Sequence, residues 1–506
     1  MEKILIRADA SKEMGAGHLI RQIAFAQHLQ DLNLDPFILT QTESKGLIDT
    51  LKSENINYIS WPKKTDKTIE SDAEFTIEIA KKERCKWIIL DGYQFHTDYQ
   101  KKIKKADFKL ISVDDYAPYH FVSDIIINQN TQEHTLYSSE SYTKLLLGPQ
   151  FAAIRRKLRL NKKNIKINKE IRNILVVFGA GDSNNETLAT LKILNMNIKI
   201  NQNLIVHVLI SPINPNLKSI EEYSKEMNCT IKIHNNITSD NYSTLLKKTD
   251  IAISACGTTV HELLLFRTPS IIIKYYENQK FLLEYLKKEA LALTQEKKDP
   301  QLTIKYFNQL KSSKKRSSII QNIKIGHKSK LKKHLQLELI LKPKLRIQSV
   351  NLKDKLILLQ LINDPEVRQQ SFNSRQISME EHQTWLKRKI QSTRCKMYIF
   401  KINDETVGQV RFEKQKKTII ANIYISKKFR GLGLGKVLIE EGLIKIKRKW
   451  NECEYIKAEI KETNVSSIYT FKELGFKKYR SIIKVTIDKH NNKNKERVVL
   501  FRKKII

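Results

Sequence analysis

The chain has 506 residues, of which 91 are lysine or arginine and 54 are aspartate or glutamate, so its formal net charge is +37 at pH 7. Hydrophobic residues make up 41% of the chain and charged residues 29%. This balance supplies enough apolar material for packed cores and excludes a disordered polyelectrolyte. At about 150 residues per domain, the length indicates about three domains.

The sequence shows no sign of a targeting or membrane segment. Arg7 and Asp9 lie where the apolar part of a signal peptide would be, and no run of about 18 apolar residues occurs. We therefore expect a cytoplasmic protein without a membrane partner. The cysteines are odd in number and form no CxxC pair, so we expect reduced thiols and neither a disulfide framework nor a zinc ribbon. They are Cys85, Cys229, Cys256, Cys395 and Cys453.

The excess positive charge raises the question of nucleic-acid binding, because basic chains bind polyanions through counterion release. Residues 343–506 carry a net charge of +21, and residues 1–342 carry +16 over twice the length. Lysines are spread through every segment, and no basic block is interleaved with aromatic residues. A lysine-rich compositional bias explains this distribution better than a nucleic-acid surface, so we expect no nucleic-acid partner.

Short apolar runs alternate with helix-like segments through roughly the first two thirds of the chain. The runs include KILIR, PFILT, WIILD, NILVVFG, LIVHVLI, DIAISA and PSIIIKY. Continuous Ile/Val/Leu runs are typical of buried parallel strands, and their alternation with helices predicts doubly wound α/β units. A charged stretch at 155–173 separates two such sets. The pattern therefore predicts two Rossmann-like lobes, at 1–165 and 166–342.

A domain of a different class follows Pro343, which interrupts a lysine-rich helical segment. The predicted order after Pro343 is a strand, then helices, then three sequential strands. A Gly-rich loop that opens a helix follows, and after it come another strand and helix and a final hairpin that turns at HNNKNK. Sequential strands of this kind predict an antiparallel sheet. We therefore expect an α+β domain at 343–506.

The first candidate site is the run Gly15-Ala16-Gly17-His18, which follows the opening strand and precedes an amphipathic helix over 19–29. Glycines allow a close approach of the backbone to a ligand, and amides at a helix N-terminus favour an anion or an electron-rich oxygen. A histidine at this place titrates near neutrality and can act as a general base. The alternative is a histidine that caps the helix and only packs.

The second candidate site is the turn SACGTT at 254–259, where a strand ends and a helix begins. Free amides and hydroxyl groups converge in such a turn and can hold a phosphate. Glu262, one turn into the helix, is placed to accept hydrogen bonds from ribose hydroxyls. Glu277-Asn278-Gln279 follows the next strand, where ligands of open sheets collect.

Six segments follow one another in the order seen in the UDP-sugar hydrolases of pseudaminic acid biosynthesis, and the chain resembles that family over about residues 3 to 340. They are IRADASKEMGAGHLIRQIAFAQHL, WIILDGYQF, SVDDYAPYHFVSDIIINQN, LLGPQFAAIRRKL, ILVVFGAGDSNNET and SACGTTVHELLLFRTPSIIIKYYENQ. The resemblance implies a two-lobed fold of glycosyltransferase-B type, similar to that of the peptidoglycan N-acetylglucosaminyltransferase. It also implies removal of UDP from UDP-2,4-diacetamido-2,4,6-trideoxy-β-L-altropyranose.

The resemblance assigns roles to particular residues. His18 would be the catalytic base. The other matching positions would bind the nucleotide or the sugar, and these are Arg7, Asp9, Gly17, Tyr93, Arg155, Gly257, Thr258, Thr259, Glu262, Asn278 and Gln279. One departure concerns the turn in the second lobe, because the family usually has a Gly-Gly pair where this chain has Cys256-Gly257.

The chemistry of UDP release can be stated from the residues themselves. Hydrolysis at the anomeric carbon needs an activated water on one face of the sugar and a stabilised diphosphate leaving group on the other. His18 in the first lobe can supply the base, and the turn at Gly257 in the second lobe can supply the anion site. Attack by water from the opposite face predicts inversion at C1. No carboxylate, histidine or cysteine cluster has the spacing of metal ligands, so we expect no metal.

The third candidate site is the loop RGLGLGK at 430–436, which follows a strand and opens a helix. Its R-x-x-G-x-G pattern, together with NVSSIY at 464–469 and LGF at 474–476, resembles the acetyl-CoA site of the GNAT acetyltransferase superfamily. Successive amides in such a turn can wrap a pyrophosphate, and only glycine allows the approach. The resemblance implies acetyl-CoA as co-substrate and a GNAT fold for the C-terminal domain.

The superfamily pattern assigns cofactor contacts and one catalytic role. The backbone of 422–425 would pair with the pantetheine arm as an added strand does. Tyr469 would protonate the departing CoA thiolate, with a packing role as the alternative. The residues expected to bind the cofactor are Ile423, Tyr424, Ile425, Arg430, Gly431, Leu432, Gly433, Leu434, Gly435, Lys436 and Asn464.

The base for the amine and the acceptor pocket stay open at this stage. Glu413, Glu459 and His382 are candidates for the base, and a chain of water molecules is the alternative to all three. The segment INDPEVRQQSFNSRQISMEEHQTWLKRK resembles the acetyltransferase of the same pathway, which acetylates UDP-4-amino-4,6-dideoxy-N-acetyl-β-L-altrosamine. Arg368 and Trp385 in this segment are candidates to line a sugar-nucleotide pocket, and packing roles are equally plausible.

The two resemblances are consistent with one another because the product of the acetyltransferase is the substrate of the hydrolase. We therefore expect one chain that carries out consecutive steps on UDP-aminosugars. One alternative is a UDP-sugar glycosyltransferase fused to an acetyltransferase of other specificity. A second is a basic nucleic-acid-binding protein that retains enzyme folds.

Overall fold

The computed structural model describes all residues except 11–16, 43, 62–67, 162–166, 180–181, 183, 199–200, 211–213, 236, 327–328, 489, 491 and 506. Gly15 and Ala16 of the first candidate site thus lie outside the described residues. The chain divides into two compact units, Met1–Lys332 and Lys333–Ile506. Among the described residues, no helix is long and apolar enough to cross a membrane.

The first lobe of the first unit is built on a seven-stranded parallel sheet with the strand order β3-β2-β1-β4-β5-β7-β9. The seven strands of this sheet are β1 (Lys3–Ala8), β2 (Asp35–Thr40), β3 (Asn57–Ser60), β4 (Trp87–Asp91), β5 (Lys109–Val113), β7 (Ile125–Asn128) and β9 (Lys144–Leu147). The lobe also contains the short strands β6 (His120–Phe121) and β8 (Ser138–Ser139), which are outside this sheet. Its helices are α1 (Gly17–Gln30), α2 (Lys45–Ser53), α3 (Ile69–Lys82), α4 (Thr97–Lys105) and α5 (Arg156–Leu160).

The second lobe has a six-stranded parallel sheet with the order β12-β11-β10-β13-β14-β15. Its strands are β10 (Asn173–Val177), β11 (Asn201–Ile210), β12 (Cys229–Asn235), β13 (Ile251–Ala255), β14 (Ser270–Ile273) and β15 (Leu293–Gln295). Its helices are α6 (Glu186–Asn197), α7 (Leu217–Ser224), α8 (Ser239–Lys248), α9 (Thr259–Leu265), α10 (Lys280–Lys288), α11 (Pro300–Lys311) and α12 (Ser313–Gly326).

The strand order explains where the candidate sites of the first unit lie. In both lobes the first strand is central, and the chain crosses from one side of it to the other, which creates a switch point. Loops that follow neighbouring strands diverge there and leave a crevice at the carboxyl ends of the strands. The Ile/Val/Leu runs form the buried strands, as the sequence predicts; Ile4, Leu5 and Ile6 of β1, for example, are fully buried.

The second unit is an α+β domain with the strand order β16-β17-β18-β19-β20-β22-β21. Its strands are β16 (Leu345–Ser349), β17 (Cys395–Ile402), β18 (Glu405–Gln415), β19 (Thr418–Ile425), β20 (Tyr455–Lys461), β21 (Lys477–Ile487) and β22 (Lys493–Lys504). Its helices are α13 (Leu331–Leu335), which contains the boundary between the units, α14 (Lys355–Ile362), α15 (Pro365–Gln370), α16 (Met379–Gln391), α17 (Leu434–Lys447) and α18 (Val465–Glu473).

The second unit begins ahead of the linker that the sequence suggests near Pro343. Leu337 and Leu341, in a π-helical turn over Gln336–Leu341, belong to the same hydrophobic core as Phe400 and Phe412 of the sheet. Residues before Pro343 are therefore part of this unit because they contribute apolar side chains to its core. A fragment that begins at 343 would lack them.

Candidate active sites

His18 and Asp91 form a hydrogen-bonded pair at the carboxyl edge of the first sheet. His18 Nδ1 lies 2.7 Å from Asp91 Oδ1, and both side chains are buried. β1, which leads toward α1, pairs in parallel with β4, which ends at Asp91, so the two residues meet although they are far apart in the chain. An ionised Asp91 accepts the proton of Nδ1 and leaves Nε2 available to accept one. This is the arrangement of a histidine that acts as a general base.

Two further residues of α1 hold Asp91 in place. Arg21 donates to both carboxylate oxygens, at 2.6 and 2.8 Å, and Gln22 Nε2 donates at 2.6 Å. Arg21 also pairs with Asp115 at 2.8 Å. Burial alone would raise the pKa of Asp91, but the charges of Arg21 and His18 outweigh it and hold that pKa well below its usual range. Asp91 therefore stays ionised and fixes the orientation of the His18 ring.

Arg7 and Asp9 belong to a separate buried network. Arg7 is fully buried and donates to Asp9 at 2.5 Å and to Asp72 at 2.6 Å. Asp9 also accepts the backbone N–H of Gln41 at 2.6 Å. Because Arg7 is enclosed, we propose that it positions Asp9 and the loop after β1 and does not itself contact the substrate.

Tyr93 and Asn278 bring the two lobes together beside His18. The Tyr93 ring stands edge-on to the His18 ring, with 4.8 Å between centroids, and Asn278 Nδ2 donates to the Tyr93 hydroxyl at 3.2 Å. The other amide atom, Asn278 Oδ1, is buried and has no partner among the described residues. Gln279 has a local role, because its Oε1 accepts the N–H of Tyr275 at 2.8 Å.

A small cavity adjoins the His18 ring. Its lining includes His18, Tyr93, Asp114, Asp115 and Tyr119. Asp114 accepts the backbone N–H of Ala117 at 2.7 Å, and burial raises its pKa to about 6. The cavity is thus lined by a carboxyl group, that of Asp114, which changes its charge near neutral pH.

Glu262 and Arg155, both predicted to bind substrate, are paired with each other. Arg155 Nη2 lies 3.1 Å from Glu262 Oε1, and the Tyr242 hydroxyl donates to Glu262 Oε2 at 3.0 Å. The Arg155 guanidinium also lies over the Tyr242 ring, 5.1 Å from its centroid. Arg155 belongs to the segment that connects the lobes, so this pair joins that connection to α9.

The turn before α9 leaves open space around its glycine. A Cβ at Gly257 would meet nothing within 4 Å, and the same is true at Gly17 in the first lobe. Thr258 and Thr259 start α9, which is only seven residues long. Cys256 is buried, and its N–H donates to the Ile273 carbonyl at 2.9 Å. Where the family usually has a Gly-Gly pair, this chain thus has the buried thiol of Cys256, and the space beside Gly257 stays open.

In the second unit, β19 and β20 diverge where the sequence predicts the cofactor to bind. The parallel pairing of β19 with β20 covers only Thr418–Ile420, whereas β19 stays paired with β18 up to Ile425. The backbone of Ile423, Tyr424 and Ile425 therefore borders a gap between two strands. An extended chain such as pantetheine can add to an open strand edge of this kind.

The Gly-rich loop has the backbone geometry that only glycine adopts easily. Gly431 has a φ of 77° and Gly433 a φ of 83°. A Cβ at Gly431 would meet nothing within 4 Å, whereas one at Gly433 would lie 3.2 Å from Leu337 Cδ2. Leu434, Gly435 and Lys436 form the first turn of α17, and Leu432 packs against the core. The loop and the start of α17 are thus shaped to expose successive backbone amides.

Arg430 anchors this loop. Its guanidinium donates to Asp364 at 2.7 Å, to Glu366 at 2.8 Å and to the Ile425 carbonyl at 3.0 Å. Its charge is therefore satisfied within the protein. We propose that Arg430 holds the loop against α15, and that the backbone amides contact the cofactor.

Asn464 and Tyr469 occupy α18. Asn464 caps the helix by accepting the N–H of Ser467 at 3.1 Å. Tyr469 lies on the next turn and is about half exposed. This exposure is compatible with the predicted role as proton donor.

The three candidates for the amine base have other partners or surroundings. Glu413 pairs with Lys389 at 2.8 Å, and Glu459 pairs with Lys484 at 2.8 Å. His382 is buried under Trp385, and burial lowers its pKa. A deprotonation through water therefore stays the simplest interpretation. Among the described residues, no group of three or more His, Cys, Asp or Glu side chains is arranged to hold a metal ion.

Comparison with known proteins supports the division of the chain. Residues 361–476 match the family model described as acetyltransferase (GNAT) family. This part of the chain is a GNAT acetyltransferase domain. The UDP-2,4-diacetamido-2,4,6-trideoxy-β-L-altropyranose hydrolase of Campylobacter jejuni is 25% identical over 300 residues, which cover 57% of this chain and 97% of that protein. The GNAT domain and this relative indicate an enzyme with hydrolase and N-acetyltransferase activities.

Two other similarities extend over most of the chain. An uncharacterised protein of Methanocaldococcus jannaschii, MJ1062, is 25% identical over 509 residues, which cover 94% of this chain and 97% of that protein. The crystal structure of MurG from Acinetobacter baumannii aligns with 68% of this chain and 100% of its own, at 14% identity and a TM-score of 0.49.

Sequence reasoning did not identify Asp91, Arg21 or Asp115 as site residues. Asp91 stands at the end of the apolar run WIILD, which is the place where functional side chains of a parallel sheet collect. The position of Asp91 at the end of this run was therefore a signal for a site residue. Its connection with His18 depends on the adjacency of β1 and β4, which the sequence pattern does not specify.

Proposed function

We propose that this chain catalyses two consecutive steps on a UDP-linked aminosugar. The second unit, from Lys333 onward, would acetylate the 4-amino group of UDP-4-amino-4,6-dideoxy-N-acetyl-β-L-altrosamine with acetyl-CoA. The first unit, composed of the lobes at 1–165 and 166–332, would then hydrolyse the UDP-2,4-diacetamido-2,4,6-trideoxy-β-L-altropyranose product to free sugar and UDP. The similarity to the Campylobacter hydrolase and the presence of the GNAT domain support the proposal.

The hydrolytic step uses His18 as general base. Nε2 accepts a proton from water as the water oxygen attacks C1, and Asp91 stabilises the imidazolium that forms because it remains ionised. Asn278 Oδ1, which is buried and has no partner among the described residues, would accept the other proton of that water. The bond between C1 and the diphosphate oxygen breaks with its electron pair on the diphosphate, so the sugar is released with inversion.

The leaving diphosphate belongs to the second lobe. The open space beside Gly257 admits a phosphate next to the amides and hydroxyls of Thr258 and Thr259. Glu262 would accept hydrogen bonds from the ribose hydroxyls, with Arg155 holding its carboxylate in place. Both lobes are required, because the base is on one and the anion site on the other.

The acetyl-transfer step uses the gap between β19 and β20. Pantetheine adds to the backbone of Ile423–Ile425, and its pyrophosphate lies on the loop at 430–436. The amine attacks the thioester carbonyl, the carbon–sulfur bond breaks, and Tyr469 protonates the CoA thiolate. The nitrogen that attacked loses its extra proton to water as the amide forms.

The observation that carries the hydrolytic part is the His18–Asp91 pair at the carboxyl edge of the first sheet. The decisive test is incubation of the purified chain with the diacetamido UDP-sugar alone, followed by quantification of UDP and of the sugar. Release of equal amounts of UDP and reducing sugar without an acceptor supports hydrolysis. UDP release that requires an added sugar acceptor would instead establish a glycosyltransferase.

A further inference from the structure

The Arg368 guanidinium in the second unit is buried and has no counter-ion among the described residues. Arg368 is 9% exposed and donates to two neutral oxygens, the Arg375 carbonyl at 3.1 Å and the Ser371 hydroxyl at 2.8 Å. Its Nε is buried and has no partner among the described residues. Burial lowers its pKa, and the nearby Arg375 lowers it further. Buried charges are usually paired, so an exception calls for an explanation.

The cations around Arg368 show the usual pairing. Arg375 binds Glu381 at 2.6 Å, and Lys461 binds Glu496 at 2.8 Å. Arg430, on the loop before α17, binds both Asp364 and Glu366. The carboxylates of this region are therefore already neutralised. Arg368 alone among these four cations keeps a charge that the described residues do not balance.

Gln409 supplies a second unsatisfied donor close by. It is 3% exposed, and its Nε2 has no partner among the described residues. Gln409 on β18 lies opposite Tyr424 on β19 and Ile399 on β17, so the three share one face of the sheet. The start of α15, which carries Arg368, lies near the end of this row, because Arg430 donates both to the Ile425 carbonyl on β19 and to Asp364 at the beginning of α15.

This face of the sheet is distinct from the one that carries the Gly-rich loop. Ile399 packs with Leu358 of α14 and Leu386 of α16. The neighbouring side chains of β18, Val410 and Phe412, point to the other face and pack with α17. Gln409 therefore lies on the opposite face of the sheet from the helix whose N-terminus would hold the pyrophosphate of CoA.

The segment at 372–374 closes one side of the region around Arg368 and is hydrogen-bonded to the end of the edge strand β21. Ser374 N donates to the Ile487 carbonyl at 2.8 Å, and Ile487 N donates to the Phe372 carbonyl at 2.9 Å. Lys461 Nζ reaches the Gln369 carbonyl at 3.1 Å. These bonds hold the segment after α15 in one place, so the Arg368 guanidinium is a preorganised donor.

We propose that Arg368 and Gln409 bind an anionic group of the acetyl acceptor, a phosphate or diphosphate that the reacting amine carries. A polyamine or a peptide amine brings positive charge and would meet repulsion from Arg368. An acceptor that carries phosphate neutralises the buried guanidinium and satisfies both donors. This inference rests on the proposed acetyl-transfer function and specifies the class of its acceptor.

Steady-state acetyl transfer by the full-length chain tests the proposal through Arg368→Gln and Gln409→Leu. Charge-assisted hydrogen bonds of this kind change binding by about 10- to 100-fold. We expect KM for the UDP-linked aminosugar to rise by that factor in Arg368→Gln and by about 10-fold in Gln409→Leu. KM for acetyl-CoA should change less than about 2-fold, because both donors are assigned to the acceptor and neither to the cofactor. Arg388→Gln, an exposed arginine of α16, is the matched control and should leave both values unchanged.

A titration with inorganic pyrophosphate, performed on the protein saturated with CoA, gives a readout independent of turnover. The Arg368→Gln variant should lose one pyrophosphate site that the wild type and Arg388→Gln retain. A rise in KM for acetyl-CoA instead of the acceptor would assign Arg368 to the cofactor and overturn the proposal. Unchanged acceptor KM together with an unchanged number of pyrophosphate sites would also overturn it.

Failure of the proposed function gives a different result. If the wild type does not acetylate the UDP-linked sugar but Arg368→Gln still loses a pyrophosphate site, the substrate assignment fails and the anion site stands. If the sugar nucleotide is acetylated and both variants behave as the wild type, the anion site fails and the proposed function stands.

Discussion

His18 Nδ1 and Asp91 Oδ1 are 2.7 Å apart, although 73 positions of the chain separate the two residues. Asp91 is in turn held by Arg21 and Gln22, both on the helix that carries His18. One turn of α1 and the end of β4 therefore form a single hydrogen-bonded group. The group fixes one nitrogen of the imidazole and directs the other to the cleft, which is the basis of the predictions that follow.

Replacement of His18 by glutamine should reduce the rate of UDP release by about 10²–10⁴, because general-base assistance is commonly worth that factor. Acetyl transfer by the same protein should be unchanged, since it occurs in the other unit. His134→Gln, which alters an exposed histidine of the same lobe, is the matched control. Near wild-type hydrolysis by His18→Gln would remove His18 from the mechanism.

Asp91→Asn should lower the rate of hydrolysis, because an asparagine cannot stabilise the imidazolium by charge. We expect a loss of at least about 10-fold in kcat with a smaller effect on KM. Asp98→Asn, in an exposed ion pair on α4, is the control. A kcat close to that of the wild type, or a loss confined to KM, would contradict this role of Asp91.

Gly431→Ala should weaken acetyl-CoA binding by about 10-fold or more, because its Cβ would project into the space where the pyrophosphate is expected. Gly179→Ala is a matched control, since Gly179 also has a positive φ, of 86°, with open space around an added Cβ, and belongs to the first unit. Both variants should lose a similar amount of stability, about 1–2 kcal/mol. Calorimetry that shows equal acetyl-CoA affinity for the two variants would contradict the assignment of the loop. Gly433 is a poorer probe because its Cβ would also press on Leu337.

Asp114→Asn should change the pH dependence of stability. Burial raises the folded-state pKa of Asp114 to about 6, so the folded protein retains a proton that the unfolded chain loses near pH 4. The wild type should therefore lose stability relative to Asp114→Asn as pH rises from about 4 to 6, by about 3 kcal/mol at 1.36 kcal/mol per pH unit. Denaturant unfolding of both proteins at pH 4 and pH 7 measures this difference. A difference that does not vary with pH would show that Asp114 has an ordinary pKa.

The two activities should separate when the chain is divided between residues 332 and 333. Each fragment then keeps its whole core, including Leu337 and Leu341 in the second. Fragment 1–332 should release UDP from the diacetamido sugar nucleotide, and fragment 333–506 should acetylate its 4-amino precursor. The same chain divided at 342/343 should give a less stable second fragment. A fragment that folds by circular dichroism but stays inactive until the other is added would contradict this division of labour.

The sequence pattern predicted the architecture well because burial dictates it. Runs such as WIILD and NILVV can only be central parallel strands, and the RGLGLGK loop can only open a helix with glycines at positive φ. His18 could be found for the same reason, since its place between a strand and a helix is a local feature.

Partners that are distant in the sequence were not predictable. Asp91 meets His18 only because β1 and β4 are neighbours, and Arg430 meets Asp364 only because α15 packs near the end of β19. The burial of Arg7 is of the same kind, because Asp72, its partner, comes from α3. Such contacts depend on tertiary packing, and no periodicity of the chain encodes them.

The most direct test of the account is a time course of the full-length chain with the 4-amino UDP-sugar, acetyl-CoA and water, followed by NMR. The account predicts that the UDP-linked diacetamido sugar forms first and is then converted to UDP and free diacetamido sugar, whose first-formed anomer is inverted at C1. At low sugar nucleotide, Arg368→Gln should slow formation of the intermediate, whereas His18→Gln should let the intermediate accumulate. Release of UDP from the 4-amino sugar before acetylation, or accumulation of the diacetamido sugar nucleotide without release of UDP, would contradict it.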